Sequence, residues 1–381
     1  MYVANTFILK ATSTCNLRCG YCYMFEQADR SAEYQPPVMD SAVLRSAACA
    51  IAAYCAKFHQ PKALIVFHGG EPTLAGPAWF RQAVQVFGAH MPAACSTSFA
   101  MQTNGVLLND DWVNLCAELE IGVSISLDGP PAVHDRQRTK ATGAGSYRDA
   151  VAAIQRIQRH AGMQRLFGGV LCVVNPSEDG RAIYRHFRSL GIETMDFLLP
   201  VEANWDHPPS GCASPTPFAD YLIPIFDEWW SENNPKVRIT YFDSLLHLLV
   251  GSRVHSDALG GDPLTMVVVD CDGSIEPVDS LRACGNGFTK LGLNTKADPI
   301  ERAFQHPTFQ LALAGQEGLC ATCRRCELRD ICGGGYLPSR FRQANGFDNT
   351  SVYCADLTKL IHHVVDACAL HLTSVTSQPC V

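Results

Sequence analysis

Short apolar runs alternate with longer amphipathic stretches along the first half of the chain. The apolar runs, which predict β-strands, cover residues 3–9, 63–67, 97–102, 122–127, 166–174 and 194–199. The stretches between them, which predict helices, cover residues 41–58, 78–89, 110–119, 146–160 and 178–190. Near-continuous apolar strands that alternate with helices favour a parallel sheet with helices packed outside it. Six such units are too few for a closed eight-unit barrel, and the pattern alone leaves a doubly wound sheet equally open.

The pattern changes near residue 200. The proline-rich stretch 200–217 predicts a domain boundary. Helical segments follow near 218–232 and 241–250, and residues 267–277 predict two strands joined by an Asp272-Gly273 turn. We therefore expect an α/β domain at 1–200, a linker with bridging helices at 201–262, and a C-terminal domain at 263–381. Asp40 with Ser41 predicts the start of the first helix, and Asp110 is expected to cap the third.

Composition narrows the class of protein. The chain has 381 residues, of which 47% are hydrophobic and 18% are charged, enough for one large domain and a smaller one. Its net charge of −7 gives no basic surface for nucleic acid. No segment approaches the ~18 consecutive apolar residues of a membrane helix, so no membrane partner is expected. The first residues lack the basic segment and apolar core of a signal peptide, which predicts a cytoplasmic protein.

Eighteen cysteines are the most unusual feature of the composition. In a large chain without an export signal, clustered cysteines indicate metal ligation rather than disulfides. Ten of them fall into two groups, which are Cys15, Cys19 and Cys22, and then Cys271, Cys284, Cys320, Cys323, Cys326, Cys332 and Cys354. The other eight are scattered, and we interpret them as ordinary thiols.

The first group, Cys15, Cys19 and Cys22, has the spacing C-x3-C-x2-C and follows the first predicted strand. Three thiolates from one short loop can ligate three irons of a [4Fe–4S] cluster and leave the fourth iron open to a small molecule. The alternatives are a zinc site or buried thiols, but zinc sites usually combine two C-x2-C pairs.

This spacing, with the aromatic Tyr21 before the last cysteine, resembles the signature of radical S-adenosylmethionine (SAM) enzymes. In that family the methionine part of SAM binds the open iron, and one electron cleaves SAM to a 5′-deoxyadenosyl radical that takes a hydrogen atom from the substrate. The resemblance therefore implies SAM and a SAM-binding [4Fe–4S] cluster as cofactors, with the protein supplying orientation and protection from water. It also implies an α/β fold, a partial (β/α)6 barrel open on one side.

Polar residues follow the next predicted strands, at the ends where parallel α/β folds place their chemistry. Gly69, Gly70 and Glu71 match the family's G-G-E-P stretch, which binds the amino group of SAM. The further cofactor-binding candidates are Gln102 at the end of the third strand, Ser124 and Ser126 on the fourth, and Arg138. In related peptide-modifying enzymes the matching serine and arginine approach the ribose and carboxylate of SAM. Without the resemblance these stretches would indicate turns and a solvated basic run.

The second cysteine group resembles the SPASM domain, which usually holds two auxiliary [4Fe–4S] clusters behind a radical SAM barrel. Its core run is C-x2-C-x5-C-x3-C followed by a distant cysteine, and this sequence departs from it at Tyr336. A second departure is Val278, where many members have a cysteine. The resemblance assigns one cluster to Cys323, Cys326, Cys332 and Cys354, and leaves Cys271, Cys284 and Cys320 for the other. One cluster, or a structural zinc site, is the alternative.

The predicted reaction also rests on resemblance. Residues 332–340 and 349–357 resemble cyclophane-forming radical SAM/SPASM peptide maturases, which join an aromatic ring carbon to a nearby β-carbon in a ribosomally made precursor peptide. Asp279 lies where formylglycine-forming members carry a carboxylate that takes a substrate proton, although it could equally cap a turn. The alternatives are formylglycine formation on a sulfatase or a thioether crosslink. If the protein is not an enzyme, the alternatives are an iron–sulfur carrier or a zinc-stabilised binding module.

The implied partners are the precursor peptide and an electron donor such as ferredoxin or flavodoxin. Because the first predicted strand begins close to Met1, we expect no leader-binding domain ahead of it. Leader recognition would then fall to the C-terminal region, the bridging helices or a separate leader-binding partner.

Overall fold

The computed structural model describes residues 3–209 and 213–376. Its strands are β1 (Thr6–Thr12), β2 (Leu17–Cys19), β3 (Lys62–Gly69), β4 (Ser96–Thr103), β5 (Ile121–Ser126), β6 (Arg138–Lys140), β7 (Phe167–Val173), β8 (Thr194–Leu198), β9 (Arg238–Ile239), β10 (Val267–Val269), β11 (Ser274–Glu276) and β12 (Leu293–Asn294). Its α-helices are α1 (Ser41–Lys57), α2 (Pro77–His90), α3 (Asp110–Glu118), α4 (Pro131–Gln137), α5 (Tyr147–Arg159), α6 (Gly180–Ser189), α7 (Pro217–Glu232), α8 (Thr240–Leu249), α9 (Pro307–Leu313), α10 (Ala321–Arg324), α11 (Arg329–Cys332) and α12 (Cys354–Thr376). Two of the scattered cysteines, Cys212 and Cys380, lie outside the described residues.

The chain divides into two compact units. The first unit combines Met1–Cys172 with Pro263–Ala314, and the second combines Val173–Asp262 with Gly315–Val381. Each unit is therefore built from two separate stretches of the sequence. The three-part division expected from the sequence stays a prediction.

The first unit is organised around a mostly parallel sheet. Its strand order is β12-β11-β10-β1-β3-β4-β5-β7, and the pairs from β10 to β7 are all parallel. In the register of β1 and β3, Lys10 pairs with His68, and in that of β4 and β5, Gln102 pairs with Ser124. The six strands expected from the apolar runs are all present, five in this unit and β8 in the second.

Helix starts follow short polar side chains. Asp40 caps α1 as expected, because its carboxylate accepts the backbone N–H groups of Ala42 and Val43, both at 2.8 Å. The cap of α3 is Asn109 rather than Asp110, since the Asn109 side chain accepts the N–H of Trp112 at 3.0 Å. The expectation for Asp110 was therefore wrong by one residue.

An aromatic cluster fills the space between the helices and the sheet of the first unit. Phe67 on β3 lies against Trp79 and Phe80 of α2 and against Phe99 of β4, with ring centroids 5.1–5.8 Å apart. Phe80 in turn packs edge-on against Trp112 of α3. These buried contacts fix the helices on one face of the sheet and leave the other face for polar residues.

In the second unit, β8 and β9 pair in parallel and α7 packs against α12. Asp356 on α12 accepts the N–H groups of Phe218 and Ala219, at 2.8 and 3.0 Å, so it satisfies the start of α7. None of the helices in the described part of the chain has the length and apolar character needed to cross a membrane.

Candidate active site

The loop with Cys15, Cys19 and Cys22 leaves the carboxyl end of β1 and is tied to the segment after β5. Within it, β2 pairs antiparallel with β6, which places Cys19 opposite Arg138. The N–H of Leu17 points at the sulfur of Cys15 at 3.4 Å, and the N–H of Cys22 donates to the carbonyl of Cys19 at 2.9 Å. The three half-buried thiols are thus held in one short, hydrogen-bonded turn.

Burial and nearby charge set the proton affinity of these thiols. Burial raises the pKa of Cys15 to about 12 and that of Cys19 to about 11, and it also raises the pKa of Cys22. Arg138 opposes this rise at Cys19 and Cys22, as do two backbone N–H groups that face Cys22. Since a metal ligand must be the thiolate, binding of iron by these three cysteines would release protons. Sulfurs with N–H donors and a neighbouring cation fit an anionic iron–sulfur cluster.

Gly69 and Gly70 bring β3 against the backbone of the cysteine loop. The N–H of Gly70 donates to the carbonyl of Thr12 at 3.0 Å, and the next N–H, that of Glu71, donates to Thr14 at 2.9 Å. A Cβ on Gly70 would overlap the carbonyl of Thr14, and Gly69 has a φ of +144°. Glycine is therefore required for backbone contact with the loop. A contact of Gly69 and Gly70 with SAM stays a prediction.

The side chain of Glu71 is buried and fully engaged within the protein. One carboxylate oxygen accepts the N–H and hydroxyl of Thr73 at 3.1 and 2.6 Å, and the hydroxyl of Thr103 at 2.6 Å. The other oxygen accepts the N–H of Asn104 at 2.8 Å. Burial raises the Glu71 pKa and these hydrogen bonds oppose the rise. The side chain of Asn104 reaches Asn16 at 2.8 Å, so Glu71 positions the cysteine loop, and its contact with SAM stays a prediction.

Arg138 is part of a buried ion pair that the sequence did not reveal. Its guanidinium donates to both carboxylate oxygens of Asp128, at 2.8 and 3.3 Å, and Tyr21 donates its hydroxyl to the same carboxylate at 2.6 Å. The guanidinium also lies 5.3 Å from the centre of the Tyr21 ring. The predicted residues Tyr21 and Arg138 are therefore brought together beside Cys19 by Asp128. A bidentate pair of this kind fixes the position of Arg138.

Three of the other predicted cofactor-binding residues share one face of the sheet. Gln102 donates to the hydroxyl of Ser126 at 3.0 Å across β4 and β5. Ser124 lies two residues earlier on β5, and side chains two residues apart point to the same face of a strand. This polar edge could bind a polar cofactor, but direct contact with SAM stays a prediction.

Asp279 lies in a buried network that sequence reasoning missed. Lys10 on β1 forms an ion pair with Asp279, and its ammonium also lies 3.0 Å from the Nδ1 atom of His68 on β3. Tyr23, in the cysteine loop, hydrogen-bonds to Asp279 as well. Burial would raise the pKa of Asp279, but the attraction of Lys10 outweighs it and lowers the pKa well below its usual range. Burial and Lys10 lower the pKa of His68 to about 4, so it is neutral at pH 7.

A weak signal for these residues was present in the sequence. Lys10 directly ends an apolar run, and His68 immediately precedes the paired glycines. A lysine at the end of a central strand is unusual, since a buried ammonium needs an anionic partner. The partner, Asp279, is 269 positions away, and only the fold brings the two together.

The C-terminal cysteines divide between the two units. Cys271 and Cys284 are buried in the first unit, whereas Cys320, Cys323, Cys326, Cys332 and Cys354 belong to the second. The sulfur of Cys271 donates to the carbonyl of Lys10 at 2.9 Å. Burial raises the pKa of the Cys271 and Cys284 thiols strongly.

Comparison with known proteins defines the class. Residues 9–188 match the Radical SAM superfamily. This match, which covers slightly under half of the chain, and the relatives described next indicate an enzyme whose cofactors are SAM and [4Fe–4S] clusters. This excludes the carrier and binding-module alternatives.

Individual relatives of the chain indicate a more specific activity than the family match does. The chain is 24% identical over 357 residues to a cysteine-type anaerobic sulfatase-maturating enzyme of Clostridium perfringens, with 91% of this chain and 92% of the relative covered. A serine-type anaerobic sulfatase-maturating enzyme of Bacteroides thetaiotaomicron is 25% identical over 378 residues, with 92% and 87% covered. These homologues are sulfatase-maturating enzymes, and a particular closeness to cyclophane-forming enzymes is not shown.

Solved structures establish the fold. The native structure of anSMEcpe with bound AdoMet and the Cp18Cys peptide has a TM-score of 0.83 and 22% identity, with 97% of this chain and 99% of that chain covered. Streptococcus suis SuiB has a TM-score of 0.61 and 13% identity, with 92% and 76% covered. The expected radical SAM α/β fold with a mostly parallel sheet is confirmed.

Proposed function

We propose that this enzyme oxidises a side chain of a peptide by two electrons, and that formylglycine formation on a sulfatase cysteine or serine is the first candidate reaction. The carrying observation is the buried Asp279 carboxylate, which Lys10 keeps ionised and Tyr23 orients. A side chain that is oxidised to an aldehyde must lose a proton, and the ionised carboxylate is the group that can accept it, although the Lys10 ion pair makes Asp279 a weaker base than a free carboxylate. Sulfatase-maturating relatives that align over about nine-tenths of the chain support the same reaction.

The residues of this chain have separable roles in the proposal. When bound, the clusters and SAM supply a radical that takes a hydrogen atom and an acceptor for the remaining electron. Asp279 takes the proton of the substrate, while Lys10 and His68 position its carboxylate. Cys15, Cys19 and Cys22 hold the SAM-binding cluster, and Arg138 lowers the cost of placing negative charge beside them. An external donor such as ferredoxin or flavodoxin supplies the starting electron.

A second candidate is the aromatic crosslink, which is supported by the likeness of residues 332–340 and 349–357 to cyclophane-forming maturases. Many residues in these stretches are buried, including Tyr336, Leu337, Pro338, Ser339, Arg340, Ser351 and Tyr353. The similarity of these stretches to cyclophane-forming maturases therefore concerns residues that pack inside the second unit, and it gives little information about a surface that binds substrate. Rearomatisation of a ring after crosslinking also releases a proton, which Asp279 could accept.

Product analysis separates the two candidates. Reduced enzyme is incubated anaerobically with SAM and either a serine-containing sulfatase peptide or a precursor peptide with an aromatic residue. Formylglycine formation removes two hydrogens and leaves a carbonyl that hydrazine traps, whereas a crosslink removes two hydrogens and leaves no carbonyl. Cleavage of SAM without any change in the mass of either peptide would contradict the proposal.

A further inference from the structure

Five cysteines of the second unit form one group, which we call the C-terminal thiol group: Cys320, Cys323, Cys326, Cys332 and Cys354. Cys320 precedes α10, Cys332 ends α11 and Cys354 begins α12, and α11 packs against α12. Cys323 lies near enough to Cys320, Cys332 and Cys354 to interact electrostatically with each of them. Cys354 interacts in turn with Cys326 and Cys320. Cys320 therefore belongs with the cysteines of the core run.

Backbone N–H groups point at this thiol group. Gly333, Gly334 and Gly335 have φ values of +61°, +84° and +68°, in the left-handed region. The N–H of Gly335 donates to the carbonyl of Cys332 at 3.0 Å, so the glycine turn folds back on that residue, and the N–H of Gly334 faces its thiol. Successive N–H groups in such a turn form a concave site that favours anionic groups, including iron–sulfur clusters.

Arg340, beside the same thiols, is a buried cation that forms no ion pair with a carboxylate in the described part of the chain. Arg340 is 5% exposed, and its Nη1 atom donates to the carbonyl of Gly318 at 3.1 Å. Within the described residues, its Nε atom is buried and has no hydrogen-bond partner. A Cβ built on Gly334 would lie 3.6 Å from the Nη1 atom of Arg340, so the guanidinium lies beside the glycine turn that follows Cys332. An uncompensated buried charge is costly, so the site calls for an anion that the protein atoms alone do not provide.

We propose that the C-terminal thiol group holds a single auxiliary [4Fe–4S] cluster, that Arg340 is its charge partner, and that Cys271 and Cys284 are structural thiols. Four thiolates bind the cluster with a net negative charge, which the guanidinium and the glycine N–H groups offset. Cys271 is fully buried, and its thiol is already hydrogen-bonded to the carbonyl of Lys10. When Cys320 is counted in the C-terminal thiol group, Cys271 and Cys284 are the two cysteines left for a second auxiliary cluster. A [4Fe–4S] cluster usually takes four cysteine ligands, so two are too few.

Metal analysis of the reconstituted full chain tests the number of clusters. The proposal predicts about eight irons and eight sulfides per chain, where two auxiliary clusters would give about twelve. The Cys271→Ser/Cys284→Ala variant is expected to keep about eight irons, and Cys323→Ala/Cys326→Ala is expected to keep about four. About twelve irons in the wild type, falling to eight in the Cys271→Ser/Cys284→Ala variant, would overturn the proposal, as would zinc in the thiol group.

Mössbauer spectra of the unmodified enzyme count the clusters independently, so the result does not depend on a variant that fails to fold. The number of clusters is measured without any peptide substrate. If the enzyme fails to form formylglycine, the single-cluster proposal still stands, and if the cluster count is wrong, the proposed reaction still stands.

The role of Arg340 is tested through the reduction potential of the auxiliary cluster. Arg340→Gln removes the positive charge and should make the cluster harder to reduce, with iron content unchanged, whereas Arg340→Lys should restore most of the potential. Arg342→Gln, at an exposed position two residues from Arg340, is the matched control. An unchanged potential in Arg340→Gln would overturn the charge role.

Discussion

The Lys10–Asp279 ion pair joins the first strand of the chain to a 3₁₀ turn near its C-terminal third. Both side chains are buried, and Lys10 also contacts His68 and the sulfur of Met24. Lys10 therefore links the sheet, the cysteine loop and the proposed proton acceptor. Substitutions in this ion pair can be assayed separately for their effects on stability and on catalysis.

The Asp279→Asn variant should separate radical generation from peptide oxidation. The amide cannot accept the proton of the substrate, so formation of peptide product should fall by roughly 10²–10⁴-fold. Formation of 5′-deoxyadenosine should continue, because the cysteine loop is intact. Both products are quantified by chromatography, with Asp111→Asn, at an exposed site on α3, as the control. Wild-type yields of peptide product in Asp279→Asn would contradict the assignment.

Replacing Lys10 alone should destabilise the protein. Lys10→Met leaves the Asp279 carboxylate buried without its cation, which costs about 3–5 kcal/mol of unfolding free energy. The double variant Lys10→Met/Asp279→Leu removes both charges and should recover most of that loss. Urea unfolding of the two variants measures the difference. Equal losses in both would mean that packing, and not charge, dominates at this position.

At the scale of elements, the site depends on how closely β3 approaches the loop after β1. The Gly69-Gly70 pair allows this approach, and Glu71 then connects the loop to the end of β4 through Thr103 and Asn104. Because the strands are parallel, their carboxyl ends meet at one edge of the sheet. The cysteine loop and the Asp279 network therefore lie where the fold predicts chemistry.

Two glycine-to-alanine variants test this approach. In Gly70→Ala the new methyl group would overlap the carbonyl of Thr14, so the cysteine loop must move. We expect a lower melting temperature and the loss of about four irons from the SAM-binding cluster. In Gly88→Ala, within α2, the methyl group meets no atom within 4 Å, and alanine favours the helix by up to ~1 kcal/mol. Equal stability and iron content in the two variants would contradict the account.

Among the elements of the fold, some could be predicted from the sequence and others could not. Apolar runs located the six main strands, and spacing located the cysteine loop, because both signals are local. The cap of α3 was misplaced, since Asn109 and Asp110 are both good caps and only backbone geometry distinguishes them. The Arg138–Asp128 and Lys10–Asp279 pairs join distant segments, and a single sequence carries no signal for such pairing. For Arg138 the sequence predicted a contact with SAM, which stays a prediction, and it did not reveal the ion pair with Asp128.

At the scale of the whole molecule, each unit contributes one cysteine group. In the first unit the loop of Cys15, Cys19 and Cys22 lies at the carboxyl end of the sheet, and in the second the C-terminal thiol group lies near Arg340. Burial raises the pKa of Cys15, in the first group, and of Cys323, in the second, to about 12. Metal-free protein thus holds these two thiols protonated at neutral pH, and loading with iron should release protons.

Anaerobic cleavage of SAM tests the central claim most directly. Wild-type enzyme and the Cys15→Ala/Cys19→Ala/Cys22→Ala variant are reconstituted, reduced and incubated with SAM, and 5′-deoxyadenosine and iron are measured together. We predict that the wild type forms 5′-deoxyadenosine, and that the variant forms none and holds about four fewer irons. Survival of SAM in the reduced, iron-loaded wild type, or cleavage that persists in the variant, would contradict the account.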